Sequence, residues 1–245
     1  MTMIPPIISR PLPNAVTYDL TLKNLVTITL PSGSQWTSGL HFHQTHIEYL
    51  RVLKGSVRIR LGDENFVVTA TPGSSQPLEI RVGKHAWHEW GRADPNDETE
   101  VVVVERTDPE DGEKAVFFWN LNGVILHAQR MVKPRLVPGW MFGVFMEVWV
   151  SLQLFAIFGV LDNFPVVFDV RGVSGLVPGS RRDKFLHWVE QLFARVVVGA
   201  VAMIAKVLGI SAVRKEFTPE AEYGSGCFEQ GGDGLDGRDH MDNKK

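Results

Sequence analysis

The sequence predicts a mainly β domain, closed as a barrel, followed by a hydrophobic α-helical C-terminal region. Two observations predict the first part. Between residues 17 and 106 the chain breaks into short runs rich in Val, Ile, Thr and Phe, several alternating apolar and polar with period two. Gly, Pro, Asn or Asp turn signals close these runs, and many short strands with regular turns suit a closed antiparallel architecture. A third observation predicts the second part: residues 136–161 carry a single charged side chain, Glu147.

Residues 1–16 are punctuated by prolines, with Ile4, Ile7, Ile8 and Leu12 at intervals, and read as an arm on the domain surface. Residues 17–30 hold two strands separated by Lys23-Asn24, and the turn Pro31-Ser32-Gly33-Ser34 ends them. Residues 56–61 alternate, so one face of that strand is buried; a turn at Gly62-Asp63 returns the chain through residues 66–70. Residues 78–82 and the Val-rich 101–106 complete the set. The acidic loops 92–100 and 107–114 read as solvated surface. Residues 115–126 fit either a last strand or a helix under the barrel.

Residues 136–161 are long enough to span a bilayer as a helix, which takes about 20 residues. Arg130, Lys133 and Arg135 precede them where a cytoplasmic flank carries positive charge. Glu147 argues against a span, because a charge at bilayer depth is costly. Residues 185–210 contain Glu190, Arg195 and Lys206 and read as a helix with one polar side. Three readings stand: a hairpin packed on the barrel or a partner subunit, a membrane-associated hairpin over 136–210, and a single-span anchor. The domain plan is therefore an arm at 1–16, a barrel at 17–130, a helical region at 131–218 and a disordered Gly-rich acidic tail at 219–245.

At 44% hydrophobic residues the chain buries a sizeable core, and its net charge of −3 gives no footing for nucleic-acid binding. A single cysteine, Cys227, excludes an internal disulfide. Pro5 and Pro6 break the N-terminus before any secretory pattern forms, so a cytoplasmic location, with or without membrane association, is expected rather than secretion.

The chemistry concentrates in the stretch from Gly39 to Gly55. His41 and His43, two apart on a strand, aim at one point. Glu48 returns on the next strand with an oxygen ligand, and Gly55 allows the tight turn after it. Such N/O donors suit a divalent first-row metal. The spacing Gly39-x-His41-x-His43-x4-Glu48-x6-Gly55 resembles the first motif of the cupins. Gly83-Lys84-His85-Ala86-Trp87-His88 is similar to the second, with Gly83 where proline is usual and His85 where glycine is usual. The resemblance implies a single cupin (double-stranded β-helix, jelly-roll) barrel with His88 as the fourth ligand; His85 is the substitute. It also implies barrels pairing through their sheets as a homodimer. Over the whole length, including His88-Glu89-Trp90-Gly91-Arg92 and the Val213-to-Pro219 stretch, the chain resembles fungal cupin-domain oxidoreductases of secondary-metabolite clusters, among them those for salicylaldehyde-type polyketides.

The site reading is thus metal held by His41, His43, Glu48 and His88. Fe(II) is favoured for oxidation of a small aromatic or polyketide-type substrate, and Mn, Ni or Zn for a metal-dependent isomerase, cyclase or lyase. The remaining alternative is a non-catalytic metabolite-binding module docked to a membrane or partner enzyme. His46 is placed either beside the ligands, as a hydrogen-bond partner or proton carrier, or in a partly exposed loop. Trp87 and Trp90 are expected to pack outside the barrel.

Overall fold

A computed structural model describes residues 4–71, 73, 78–131, 138–167 and 181–223. The expected tail beyond residue 223, with Cys227 and His240, lies outside the described residues, as does most of the connector at 172–183.

Among the described residues eleven strands precede or interleave with the helices: β1 (Ile7–Arg10), β2 (Val16–Leu22), β3 (Leu25–Leu30), β4 (His41–Phe42), β5 (Ile47–Lys54), β6 (Ser56–Leu61), β7 (Glu64–Thr69), β8 (Glu79–Val82), β9 (His88–Arg92), β10 (Val101–Asp108) and β11 (Phe164–Pro165). They form two antiparallel sheets, ordered β1-β2-β3-β10-β5-β8 and β11-β4-β9-β6-β7. Among the described residues no strand ladder joins the two sheets, which face each other as two layers. Their inner faces share one core, in which Val16, Tyr18, Ile28, Leu50, Val57, Ile59 and Val103 are all buried. The period-two burial of β2, β3 and β10 comes from this, since alternate side chains point into the space between the sheets.

Two expectations change. The N-terminal arm is a strand: β1 pairs with β2 from Ile7↔Asp19 to Arg10↔Val16. Among the described residues helix also occupies about as much of the chain as strand, so the mainly β expectation describes only the part before α1. Residues 115–126 belong to helix α1 (Glu113–Met131), whose start Asp111 marks by accepting the Glu113 N–H at 3.0 Å. A turn of 3-10 helix (Gly139–Met141) leads into α2 (Phe142–Val160), and α3 (Arg181–Val207) and the short α4 (Glu220–Tyr223) follow.

The helices are built into the sheets. β11, just after α2, pairs with β4 through Phe164↔Phe42 and Pro165↔His41. Phe42, Trp87 and Phe164 pack with Ala194 and Val198 of α3 in a second core. β4 is therefore buried on both faces: His41 and His43 point between the sheets, and Phe42 points outward under α3. The segment after α3 docks on α1, where Asn120 Oδ1 accepts from the Arg214 N–H (2.9 Å) and Asn120 Nδ2 donates to Thr218 (2.9 Å).

Candidate metal centre

His41 sits on β4, His43 directly follows it, and His88 opens β9 as the cross-strand partner of His41. Glu48 comes from β5 in the opposite sheet, on the inward face it shares with Leu50 and Val52. The structure brings the four together: one donor atom from each lies within 4.8 Å of the others, and all four side chains are buried.

Each imidazole turns its Nδ1 to a backbone carbonyl: His41 to Gly39 O at 2.7 Å, His43 to Asp162 O at 2.5 Å and His88 to Ala86 O at 3.1 Å. A carbonyl only accepts, so each Nδ1 carries a proton and each Nε2 is turned toward the cluster. Nε2 of His43 and of His88 face Glu48 Oε2 at 3.1 and 2.7 Å. A ring nitrogen and a carboxylate oxygen this close need a proton or a metal between them. Burial, then His88 and His43, holds His41 well below the ordinary imidazole range, so that ring is neutral. Burial opposes ionisation of Glu48, but the Lys114 ammonium, His88 and the hydrogen bonds from His43 and His88 outweigh it and hold the carboxyl well below its usual range. Three imidazoles anchored through Nδ1 around one buried carboxylate are a donor set that fits a divalent metal.

Lys114, read from sequence as part of a solvated loop, turns inward from the first turn of α1. Its Nζ lies 2.6 Å from Glu48 Oε1 and 2.8 Å from Glu105 Oε2. Burial opposes its charge, but Glu105 and Glu48 keep it protonated. Glu105 is pushed up to about 7 by burial, with Lys114 opposing, and its other oxygen accepts from Trp90 Nε1 at 2.7 Å. Trp90 is two residues from His88 and shares its inward face; only Trp87 packs outside, under α3. The signal for Lys114 was present, since residues 114, 117, 118, 121 and 125 fall on one helical face.

His46 is buried at 6% exposure, not in a half-exposed loop. Its Nδ1 donates to Asp162 Oδ2 at 2.8 Å and its Nε2 to Asp111 Oδ2 at 2.9 Å, so it is held protonated with a pKa raised to about 9, chiefly by the Asp162 hydrogen bond. Asp162 follows α2 with φ +48. It also accepts the N–H groups of Gln44, Thr45 and His46 and the Thr45 hydroxyl, and these bonds hold it well below the usual carboxylate range despite burial. Asp162 thereby pins the turn between His43 and Glu48.

His85 is exposed and lies apart from the cluster. Its φ of +63 makes the turn left-handed, which histidine adopts at some cost. The turn is kept by the His85 N–H bond to His43 O at 2.7 Å.

A cavity of about 420 Å³ opens beside the cluster. His41, His43, Glu48, Glu105 and Lys114 form its polar end. Tyr18, Trp36, Phe117, Phe118 and Phe158 form its aromatic walls, and the exposed Asn14 and Gln35 line it near solvent. Burial pushes the Tyr18 phenol up to about 12, so it stays neutral there.

No family model and no curated protein matches this chain. Among solved structures it is similar to the capsular polysaccharide assembling protein CapF from Staphylococcus aureus, at 16% identity over 42% of this chain and 28% of that one, with a TM-score of 0.32. It is similar to a cupin 2 domain-containing protein from Halorhodospira halophila, at 19% identity over 34% of this chain and 50% of that one (TM-score 0.28). It is also similar to the CENP-C cupin domain of Drosophila melanogaster, at 12% identity over 42% of this chain and 75% of that one (TM-score 0.31). The chain thus spans no more than half of the first two. The two-sheet architecture rests on its own strand pairing.

Proposed function

We propose that this chain is a metal-dependent, cupin-type oxidoreductase acting on a small aromatic or polyketide-like metabolite, with His41, His43, Glu48 and His88 as ligands and Fe(II) as the metal. The observation that carries the reading is the set of three Nδ1-anchored imidazoles clustered with Glu48, two of them with Nε2 on its Oε2. Bound there, iron supplies the one-electron chemistry that oxidation of a phenol, enol or alcohol needs. The protein's residues do the rest. Backbone carbonyls fix the three rings, and Lys114 keeps Glu48 ionised and aimed. Phe117, Phe118 and Phe158 exclude water and offer ring faces to an aromatic substrate.

One observation favours a second reading, a metal-dependent isomerase or lyase. Glu105, near 7, sits beside Lys114 in the same cavity and is poised to exchange a proton at neutral pH.

The test is metal content by mass spectrometry on protein purified without chelator, wild type beside His88→Ala, with circular dichroism to establish that the variant folds. Stoichiometric iron, lost in the variant, followed by oxygen uptake with phenolic substrates supports the oxidoreductase. Manganese, nickel or zinc with turnover under anaerobic conditions supports the second reading. No metal in either protein after reconstitution refutes both.

A further inference from the structure

Helices α2 and α3 leave a long apolar surface in solvent. The segments Gly139–Val160 and Phe185–Val207 run for 22 and 23 residues at mean hydropathies of 1.8 and 1.6, yet only 17% of each apolar window is buried. On α3 the exposed Phe185, Val189, Leu192, Val196, Met203 and Val207 recur at spacings of three, four and seven, so they form one stripe along the helix. From the 3-10 turn into the N-terminal half of α2, exposed Trp140, Val144 and Val148 repeat the pattern.

The opposite face of α3 is tied down. His187 meets the edge of Trp87 at 5.0 Å, Gln191 Nε2 donates to His85 O at 2.9 Å, and Ala194 and Val198 are buried against Phe42 and Phe164. A helix fixed to a sheet along one face cannot pass through a bilayer with lipid all around it. It can lie in the interface with its free face down. At about 1.5 Å per residue the stripe is about 33 Å long.

We infer that the outer faces of α3 and the N-terminal half of α2 form a docking surface for a phospholipid bilayer. Charge selects this occupant. Exposed Arg182 and Lys206 stand at the two ends of the stripe. A second copy laid on it, parallel or antiparallel, sets base against base, whereas lipid phosphates and anionic headgroups complement both ends. Trp140 and Trp188, exposed beside the stripe, suit the headgroup boundary. Exposed Glu147 borders the α2 stripe, where it is tolerable at an interface and costly at the bilayer centre. The other half of α2 lines the cavity with Phe158, and Leu161 just after it does the same, so one helix joins the docking face to the site.

The test is flotation of the full chain with vesicles of phosphatidylcholine, with and without a minor share of phosphatidylserine. Wild type is expected to float, more strongly with phosphatidylserine, and Leu192→Glu/Val196→Glu to lose at least tenfold in bound fraction with its melting temperature unchanged. Both positions are exposed, so the variant folds. A second readout is quenching by lipids brominated at shallow or deep acyl positions, taken as the difference between wild type and Trp188→Phe. Stronger shallow quenching supports the in-plane pose, and stronger deep quenching overturns it. Wild type that stays unbound, or a double variant that floats equally, overturns the proposal. So does a wild-type dimer in light scattering that the double variant dissociates, which would assign the face to a second copy.

Discussion

Replacing Asp162 by alanine tests whether one carboxylate from the end of α2 holds the turn that presents the candidate ligands. In the wild type its Oδ2 accepts from Thr45 N, Thr45 Oγ1, His46 N and His46 Nδ1 at 2.7–3.0 Å, and Oδ1 accepts from Gln44 N at 2.7 Å. Removing it leaves a buried imidazolium without its closer carboxylate, and breaking a buried charge pair costs about 3–5 kcal/mol. Linkage gives a second figure. His46 moves from 6.5 to about 9 on folding. A shift of that size corresponds to about 3 kcal/mol, or about 2 once the partial exposure of Asp111 and solvent screening are allowed for. Taking about 3 kcal/mol, the melting temperature falls by roughly 6–12 °C for a chain of this length.

The sign with pH follows from the raised imidazole. Its contribution is complete below pH 6.5, falls as pH rises, and is gone above about 9. Thermal unfolding followed by circular dichroism at several pH values measures both effects. Wild type loses stability across this window, and Asp162→Ala starts lower and loses less, because the Asp162 hydrogen bond is the largest cause of the shift. A variant melting within about 2 °C of wild type, or declining just as steeply, refutes the assignment.

Two further outcomes follow. Lys114→Met leaves Glu48 and Glu105 buried without their shared cation, so the metal-free protein loses about 3–5 kcal/mol. Added divalent metal is expected to recover much of this by supplying charge opposite Glu48, and melting curves with and without metal check it. Gly55→Ala places a Cβ 2.8 Å from the Glu100 carbonyl oxygen at φ +75, for a loss of at least about 2 kcal/mol. The loss is read as a lower denaturant midpoint at unchanged slope.

The strands were legible in the sequence because alternation is local: Val16, Tyr18 and Leu20 declare one buried face whatever lies opposite. The same locality made His41, His43 and Glu48 readable as a group, since strand parity and a short turn suffice to bring them near one another. Parity also places Trp90 on the face of His88, a signal present in the chain although the expectation set it outside. The apolar runs were enough to announce helices at 136–161 and 185–210. Only tertiary structure decided what those helices touch. Asp162 reaches Gln44 across 118 residues, and Lys114 reaches Glu48 across 66. No local pattern encodes such pairings, because they depend on how α1 and α2 cross the sheets. Whether the strands close, that β11 extends the second sheet beside His41, and that α3 buries one apolar face and bares the other are likewise set by long-range packing. An apolar residue carries the same hydrophobicity whether a sheet, a helix or a lipid covers it.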